Sequence, residues 1–459
     1  MDEILFEEIF ELLEQKNFPA LKAAINSMMP ADLALLFEEL DKTDIVILFR
    51  LLGKDLAAEA FAYLESDKQY ILIHAISDKE IHDVFERLFI DDAVDAIEEM
   101  PANVVARILN NTDSETRSLI NEILKYPETS AGSIMTVEYI NLRKDMTVAQ
   151  AIEKIRKEGS DKETVYTCYV TENRKLIGYV DVSKLLTSDD DDKVEDIMQT
   201  NVIFVTAYED KEEVALMFNK YGLIALPVVD NDMRLVGIVT VDDALDVIQE
   251  ESTEDISKMA AMQPIEEGYF KTSVFSHAKK RILWLLVLMI SATATGMVMQ
   301  GYEEAISAFP ILVSCIPMLM NTGGNSGSQS ATMMIRGLAL GDIRFGDIFK
   351  VIFKEFRISI IVSIILAVVN FGRVILMHNL GILGDTGGQS VYLIAAIISI
   401  SLIFVVIIAK FIGCVLPLLA DKIGLDAALM ASPIISTIVD ACAVFVFFKI
   451  ATSFLNIGA

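Results

Sequence analysis

Amide, hydroxyl and glycine residues cluster inside an apolar stretch of this 459-residue chain. The cluster reads Asn-Thr-Gly-Gly-Asn-Ser-Gly-Ser-Gln over residues 321–329, and no charged residue lies between Glu304 and Arg336. Such a composition weakens a helix and is costly where it faces lipid. Glycines would let neighbouring helices approach closely, whereas amide and hydroxyl oxygens can line a water-filled path. We favour the polar lining, because close packing needs the glycines but not the amides.

A single carboxylate, Asp440, lies in the last apolar stretch. An ionised carboxylate at mid-membrane depth costs about 2.5–3.5 kcal/mol on insertion scales, so it should face a helix bundle or a cavity. Ser436 and Thr437 precede it by four and three residues, which places them on the same helix face. One carboxylate among neutral oxygens suits a hard cation such as Mg²⁺. The alternative is an ion pair with Lys410 or Lys449. These residues alone predict a cation pathway.

Apolar stretches in the second half of the chain must position these groups. Five of them are long enough to cross a membrane, at residues 282–302, 305–335, 358–377, 386–419 and 427–448. Basic residues gather before the first stretch and between the second and third, at Lys279, Lys280, Arg281, Arg344, Lys350, Lys354 and Arg357. Because basic residues remain inside, we expect a multi-pass protein of the plasma (inner) membrane, with a cytoplasmic N-terminus and the C-terminus outside.

The first half of the chain has a very different composition. Residues 1–270 have a net charge of −32, whereas residues 271–459 have a net charge of +4. The overall charge of −28 argues against nucleic acid as a partner, and a mean hydropathy of +0.46 excludes an ordinary soluble protein. Residues 1–130 have apolar positions at helical spacing, which predicts stacked pairs of short amphipathic helices.

Residues 133–250 contain two similar halves. Each half predicts a short strand, a helix, two strands around a turn and a closing helix. We assign residues 133–136 and 176–186 to the first half and 196–200 and 235–245 to the second, with helices at Val148–Lys157 and Lys211–Lys220. This layout resembles a tandem pair of CBS domains, which are regulatory modules. A long acidic helix is predicted to follow over residues 242–275, with a break at Gln263-Pro264.

The order of these parts resembles the MgtE family of magnesium channels and transporters over essentially the whole chain. The most distinctive segments are Tyr126–Met135, Thr322–Ser330, and residues 426–433 followed by Asp440. The resemblance implies a multi-domain membrane protein. Its expected parts are a superhelical α-helical N domain (1–130), α/β tandem CBS domains (131–250), a plug-like connecting helix (251–277) and a transmembrane domain of five helices (278–459).

The resemblance also implies a function. It predicts a homodimer in the lipid bilayer that moves Mg²⁺ into the cytosol along one path at the dimer axis, and no enzymatic activity. Asp440 would bind hydrated Mg²⁺, and the lining residues carried over are Asn325, Gln329, Asn321 and Thr332, with Thr437 added from its spacing. An ion-coupled secondary transporter of Mg²⁺, Co²⁺ or Mn²⁺ stays open as the alternative, because Asp440 would serve either mechanism.

Regulation by Mg²⁺ is expected in the acidic half. The candidate ligands are Glu59, Asp91, Asp95, Asp243, Asp246, Glu250, Glu251, Glu254, Asp255 and Asp426. Divalent ions between such carboxylates would relieve their repulsion and favour a compact, closed state. ATP at the CBS domains is a further expectation. Gly222 stands where the family usually has an aspartate, so one regulatory ion site is expected to be lost or rebuilt.

Two other classes combine a sensor with a membrane domain. An intramembrane zinc protease would need a motif such as HExxH, and the histidines His74, His82, His277 and His378 form none. An anion channel with CBS domains would need more spans, and an acidic residue in its pore would oppose anions. Both are therefore disfavoured.

Overall fold

The computed structural model describes residues 2–265, 269–270, 272–382, 388–430 and 432–455. By internal contacts the chain divides into two units, residues 1–249 and 250–459. The boundary falls within a helix, Val241–Met259.

Unit 1 begins with short helices. They are α1 (Asp2–Glu14), α2 (Phe18–Ile25), α3 (Pro30–Glu38), α4 (Lys42–Leu51), α5 (Lys54–Ala62), α6 (Ser66–Ala75), α7 (Asp78–Phe85), α8 (Ile90–Glu98), α9 (Ala102–Asn111) and α10 (Ser114–Ile123). Polar caps separate them: Asp41 accepts from the first amides of α4, and Ser77 with Glu80 forms a capping box on α7. Since α3 contacts α5, α5 contacts α7 and α7 contacts α9, the helices stack into a superhelix, as predicted.

The two predicted α/β halves follow. The first contains β1 (Tyr139–Arg143), α11 (Val148–Glu158), β2 (Thr164–Glu172), β3 (Lys175–Asp181) and α12 (Val182–Thr187), and a short helix α13 (Val194–Ile197) leads to the second. The second contains β4 (Val205–Thr206), α14 (Lys211–Tyr221), β5 (Ala225–Val229), β6 (Leu235–Thr240) and α15 (Val241–Met259). In each half the first strand pairs parallel with the second, and the second pairs antiparallel with the third. The predicted element order is confirmed.

The segments before each half are exchanged between the two sheets. Thr136, assigned to the first half from sequence, pairs with Ile238 of β6 in the second sheet. Gln199, assigned to the second half, pairs with Tyr179 of β3 in the first sheet. A Cβ on Gly237 would lie 2.8 Å from the Thr136 carbonyl, so this close pairing needs glycine. Each segment therefore opens one half in sequence and pairs with the sheet of the other half, which the sequence did not predict.

The connecting helix is shorter than predicted. α15 ends at Met259, before Gln263-Pro264, rather than continuing to residue 275 or 277. Ala261 has φ +52°, and the Met262 amide donates to the Ser257 carbonyl, so the chain turns out of the helix there. Proline then disfavours helical backbone in the residue before it. Of the predicted connecting segment 251–277, residues 266–268 and 271 lie outside the described residues.

Unit 2 contains long helices. They are α16 (Val274–Gln300), the short α17 (Glu303–Ala308), α18 (Pro310–Ala339), α19 (Ile348–Asn379), α20 (Val391–Lys422) and α21 (Ser432–Leu455). Among the described residues, the four stretches long and apolar enough to span a membrane are Val274–Gln300, Phe345–Asn379, Val391–Lys422 and Ala427–Leu455. α18 is 30 residues long, but its polar segment lowers its hydropathy. The first residues of the predicted stretch 386–419 fall in 383–387, outside the described residues.

Candidate functional site

One face of α18 is built from small residues that contact α20 and α21. A Cβ on Gly327 would lie 2.8 Å from the Ile435 side chain and 3.1 Å from the Ala409 carbonyl. A Cβ on Gly413 would overlap the backbone of Gly327. Backbone atoms cannot rotate away as a flexible side chain can, so these two glycines set the closest approach of α18 and α20.

The predicted lining residues lie on a different face of α18. Asn321, Asn325, Gln329 and Thr332 follow one another at three- and four-residue spacing, and all are exposed in this single chain. The Asn325 amide nitrogen donates to Asn321 Oδ1 at 3.1 Å. The glycines and the amides therefore serve separate faces of one helix, so close packing and a polar surface coexist.

Asp440 is half-buried on α21, one turn beyond Ser436. A Cβ on Gly324 of α18 would lie 3.2 Å from Ser436 Oγ, so the polar segment contacts the helix that carries Asp440. The Thr437 hydroxyl donates to the Pro433 carbonyl at 2.9 Å within the same helix. In the described part of the chain Asp440 forms no ion pair. The alternative pairing with Lys410 or Lys449 is therefore not observed.

Lys410 instead belongs to a buried group that joins three helices. It is 5% exposed, and its Nζ lies 3.7 Å from Glu355 Oε2 of α19 and 3.2 Å from Ser330 Oγ of α18. The Ser330 hydroxyl donates to Glu355 at 2.8 Å. Sequence reasoning missed Glu355, because it stands among charged residues near a helix end, where solvent exposure is the usual expectation. The group links α18, at the residue that follows its polar segment, to α19 and α20.

Two predicted ligands of unit 1 lie close together. Asp91 at the start of α8 is 6% exposed, and the charge of Asp243 on α15 acts on it. Burial first, and then the Asp243 carboxylate, raises the pKa of Asp91 well above its usual value. Burial also raises the pKa of Asp243 to about 7, although the Thr240 hydroxyl and amide oppose that shift.

Further carboxylates, which sequence reasoning did not single out, surround this pair. Burial, with a smaller contribution from the charge of Asp242, raises the pKa of Asp92 to about 6. Burial, with smaller contributions from the charges of Asp92 and Asp242, raises the pKa of Glu163 to about 8. Asp92 could have been found beside Asp91, whereas nothing in the sequence around Glu163 points to the cluster. We call Asp91, Asp92, Glu163, Asp242 and Asp243 the carboxylate cluster.

The remaining candidates of unit 1 lie at the surface. Glu59, Asp95 and Asp246 are exposed. Burial raises the pKa of Tyr63, and the charges of Asp242, Asp92, Glu163 and Glu59 raise it further, so Glu59 lies near the cluster. Gly222 ends α14 with φ +64°, a left-handed conformation that favours glycine. The residue that departs from the family pattern thus acts as a helix cap.

A second acidic group lies in unit 2, around a lysine. Lys258 Nζ lies 2.6 Å from Glu254 Oε1 and 2.5 Å from Asp426 Oδ2. Burial lowers the pKa of Lys258, but the hydrogen bonds of Lys258 to Asp426 and Glu254 raise it by more, so the pKa of Lys258 is raised. Burial, followed by the charge of Asp426, raises the pKa of Asp255. The predicted ligands Glu254, Asp255 and Asp426 therefore lie together, and the Lys258 ammonium group already neutralises part of their negative charge. Glu250 on the same helix is exposed and Glu251 half-buried.

A third set of carboxylates, Glu38, Glu65 and Asp67, has ligand atoms within 4.8 Å of one another. Beside them the buried Lys68 ammonium donates to three backbone carbonyls at and after the end of α3. Exposed acidic side chains commonly cluster without an ion, so we assign no ion to this set.

These features define a class: a multi-pass membrane protein with a CBS pair and a polar, carboxylate-bearing helix contact inside its apolar domain. Family models match three regions: MgtE, a divalent cation transporter, at residues 316–450; the MgtE intracellular N domain at 28–129; and CBS domains at 131–190 and 194–250. The magnesium transporter MgtE of Thermus thermophilus is 32% identical over 99% of this chain and 100% of its own length. The magnesium transporter MgtE of Bacillus subtilis is 28% identical over 99% of this chain and 98% of its own length.

Two solved structures each match about half of this chain. The soluble part of a magnesium transporter matches with a TM-score of 0.52 and 29% identity, over 55% of this chain and all of that chain. The cytosolic domain of the Mg²⁺ channel MgtE in complex with ATP matches with a TM-score of 0.51 and 34% identity. The match covers 53% of this chain and 99% of that chain. The chain belongs to the MgtE family.

Proposed function

We propose that this protein carries Mg²⁺ across the plasma membrane into the cytosol, as a homodimer whose path is lined by the exposed face of α18. The observation that carries the proposal is Asp440, a half-buried carboxylate in an apolar helix, without an ion pair among the described residues and beside a polar segment. A carboxylate in such a place is costly unless a cation or water meets it. Relatives named as magnesium transporters support Mg²⁺ as that cation.

The chemistry of the lining fits a hydrated ion. Mg²⁺ gives up its water reluctantly and commonly binds through one or two carboxylates. Neutral side-chain oxygens accept hydrogen bonds from the water shell of the ion, and Asp440 supplies negative charge. The residues that offer these neutral oxygens are Asn321, Asn325, Gln329, Thr332 and Thr437. Neutral oxygens bind the ion weakly enough for it to leave again, which conduction requires. The exposure of the amide face in a single chain supports a partner chain across the path.

Flux measurements on purified protein in liposomes test this proposal. A channel passes Mg²⁺ under a membrane potential alone, with no gradient of Na⁺ or H⁺. Flux that requires such a gradient would replace the channel with the ion-coupled carrier, for which Asp440 serves equally well. Absence of Mg²⁺ flux under both conditions would overturn the proposal.

We also propose that cytosolic Mg²⁺ closes the path by binding the acidic regions. The parts would be the N domain (1–130), the CBS pair (131–250), the connecting segment (251–277) and the transmembrane domain (278–459), with the N-terminus in the cytoplasm and the C-terminus outside. The proposed ligands that lie together form two groups. One is Asp91 with Asp243, and the other is Glu254 with Asp255 and Asp426. Glu59, Asp95, Asp246, Glu250 and Glu251 complete the proposed set. Flux that stays constant as cytosolic Mg²⁺ rises from micromolar to millimolar would exclude this gate.

ATP is the second proposed ligand, at the CBS pair. Its support is the 34% identity to a cytosolic domain solved in complex with ATP. At the end of β6 the Thr240 amide donates to Asp243 at 3.3 Å, which fixes that carboxylate at the start of α15. The neighbouring carboxylates oppose a bare triphosphate, so these residues fit ATP together with Mg²⁺. Calorimetry with ATP, with and without Mg²⁺, tests this expectation.

A further inference from the structure

An apolar groove lies between α19 and α20, away from the amide face of α18. Its volume is about 480 Å³, within the range of about 300–1,000 Å³ that small-molecule sites occupy. Its walls include Phe353 and Phe411, which are 62% and 52% exposed, and Ile407. Glu355 and Lys410 lie at its floor, paired with each other and with Ser330.

Two cations flank this groove. Lys354 and Arg357 lie on α19 beside the groove residues and are exposed. The Arg357 guanidinium lies over the Phe353 ring at 5.1 Å. Within the described residues neither side chain forms an ion pair, whereas the nearby Lys350 is bonded to Asp347 at 2.8 Å. An apolar groove with unpaired cations at one side matches a molecule that has an acyl chain and an anionic head.

We propose that this groove binds an anionic phospholipid, with an acyl chain between α19 and α20 and the phosphate group at Lys354 and Arg357. A second copy of the same surface is disfavoured as the occupant, because it would bring Lys354 and Arg357 of the partner subunit against the same cations. Phospholipid supplies both the apolar chain and the negative charge that the surface lacks.

The groove floor gives the lipid a consequence for transport. An acyl chain over Glu355 and Lys410 excludes water, which strengthens their attraction. The strengthened pair fixes Ser330, the residue that follows the polar segment of α18, against α19 and α20. Phosphatidylglycerol is therefore expected to raise Mg²⁺ flux. This consequence rests on the proposed transport function, whereas lipid binding itself does not.

The test is lipid binding to the full-length protein, measured by native mass spectrometry during titration with phosphatidylglycerol or phosphatidylcholine. The K354Q/R357Q variant removes the proposed head-group contacts. Each basic residue at an anionic membrane surface contributes about fivefold, so this variant should lose phosphatidylglycerol affinity by about 30-fold and phosphatidylcholine affinity little. The matched control K279Q/R281Q removes two exposed cations in the first turns of α16 and should leave the tightest phosphatidylglycerol site unchanged.

A second variant, Ile407→Trp, fills the groove and keeps both cations. It should also weaken the tightest phosphatidylglycerol site, and it should do so without a change in net charge. Unchanged binding in K354Q/R357Q, an equal loss in K279Q/R281Q, or equal affinity of the native protein for both lipids would each overturn the proposal. If the native protein binds phosphatidylglycerol but passes no Mg²⁺, the proposed function is overturned and the lipid site is not.

Discussion

The carboxylate cluster of unit 1 and the polar contact of unit 2 handle negative charge in opposite ways. In unit 1 Asp91, Asp92, Glu163 and Asp243 lie near one another, with pKa values raised by burial and mutual repulsion. In unit 2 Glu355 is neutralised by Lys410, and the α18 segment that contacts the helix of Asp440 offers neutral oxygens.

This difference fits the two proposed tasks, sensing of cytosolic Mg²⁺ and passage of Mg²⁺. Crowded carboxylates gain from a proton or a divalent ion, so their arrangement responds to the concentration of either. One carboxylate among amides attracts an ion without holding it strongly, which suits a path. The Lys258 group is intermediate, since an ammonium already occupies the space between Glu254 and Asp426.

The largest expected effect on transport comes from Asp440→Ala. Mg²⁺ flux in liposomes should fall by about a hundredfold, the equivalent of about 3 kcal/mol for a contact with a charged group. Asp421→Ala, which removes an exposed carboxylate at the end of α20, is the control and should conduct normally. Equal flux in both variants would show that Asp440 does not contribute to the Mg²⁺ path, and the proposed difference between the two regions would then be wrong.

Lys410→Met should destabilise the membrane domain by about 3–5 kcal/mol, because it leaves Glu355 buried without its partner. The double variant Lys410→Met with Glu355→Gln should recover much of this loss. Lys350→Met breaks an exposed pair and should cost under about 1 kcal/mol. Unfolding of detergent-solubilised protein measures all three, and equal effects of Lys410→Met and Lys350→Met would contradict the assignment.

The carboxylate cluster predicts a pH dependence of stability without Mg²⁺. Because the folded-state pKa values of Asp92, Asp243 and Glu163 are raised, to about 6, 7 and 8, the stabilisation is present at low pH and lost as pH rises through these values. Each such group contributes at most about 1.4 kcal/mol per pH unit.

Unfolding of the full-length protein, followed between pH 5 and 9 with and without Mg²⁺, checks this prediction. Mg²⁺ should protect more at high pH, where it no longer competes with protons. Glu163→Gln should flatten the slope above pH 6. A stability that rises with pH over this range would show that the cluster is neutralised in another way.

The smallest expected effect is that of Lys258→Met. Without the ammonium group, Glu254, Asp255 and Asp426 would attract Mg²⁺ more strongly, so the cytosolic Mg²⁺ concentration for half-closure should fall about fivefold, the equivalent of about 1 kcal/mol. Lys258→Arg keeps the charge and should resemble the native protein. A higher concentration for half-closure in Lys258→Met would mean that Lys258 itself stabilises the closed state.

The sequence by itself determined the elements and the kinds of chemistry. Helical and strand periodicity predicted the stacked N-terminal helices and both CBS halves, and amides with one carboxylate in apolar stretches marked Asn325 and Asp440. These signals are local, since each lies within one helix or strand.

Only the tertiary structure decided which distant residues meet. It placed Thr136 on the second sheet, Lys410 against Glu355, Glu163 beside Asp92, and Lys258 between Glu254 and Asp426. No local pattern encodes these contacts, because each depends on how separate elements approach one another. Burial and partner choice, which set the pKa of a carboxylate and the role of a lysine, follow from that approach.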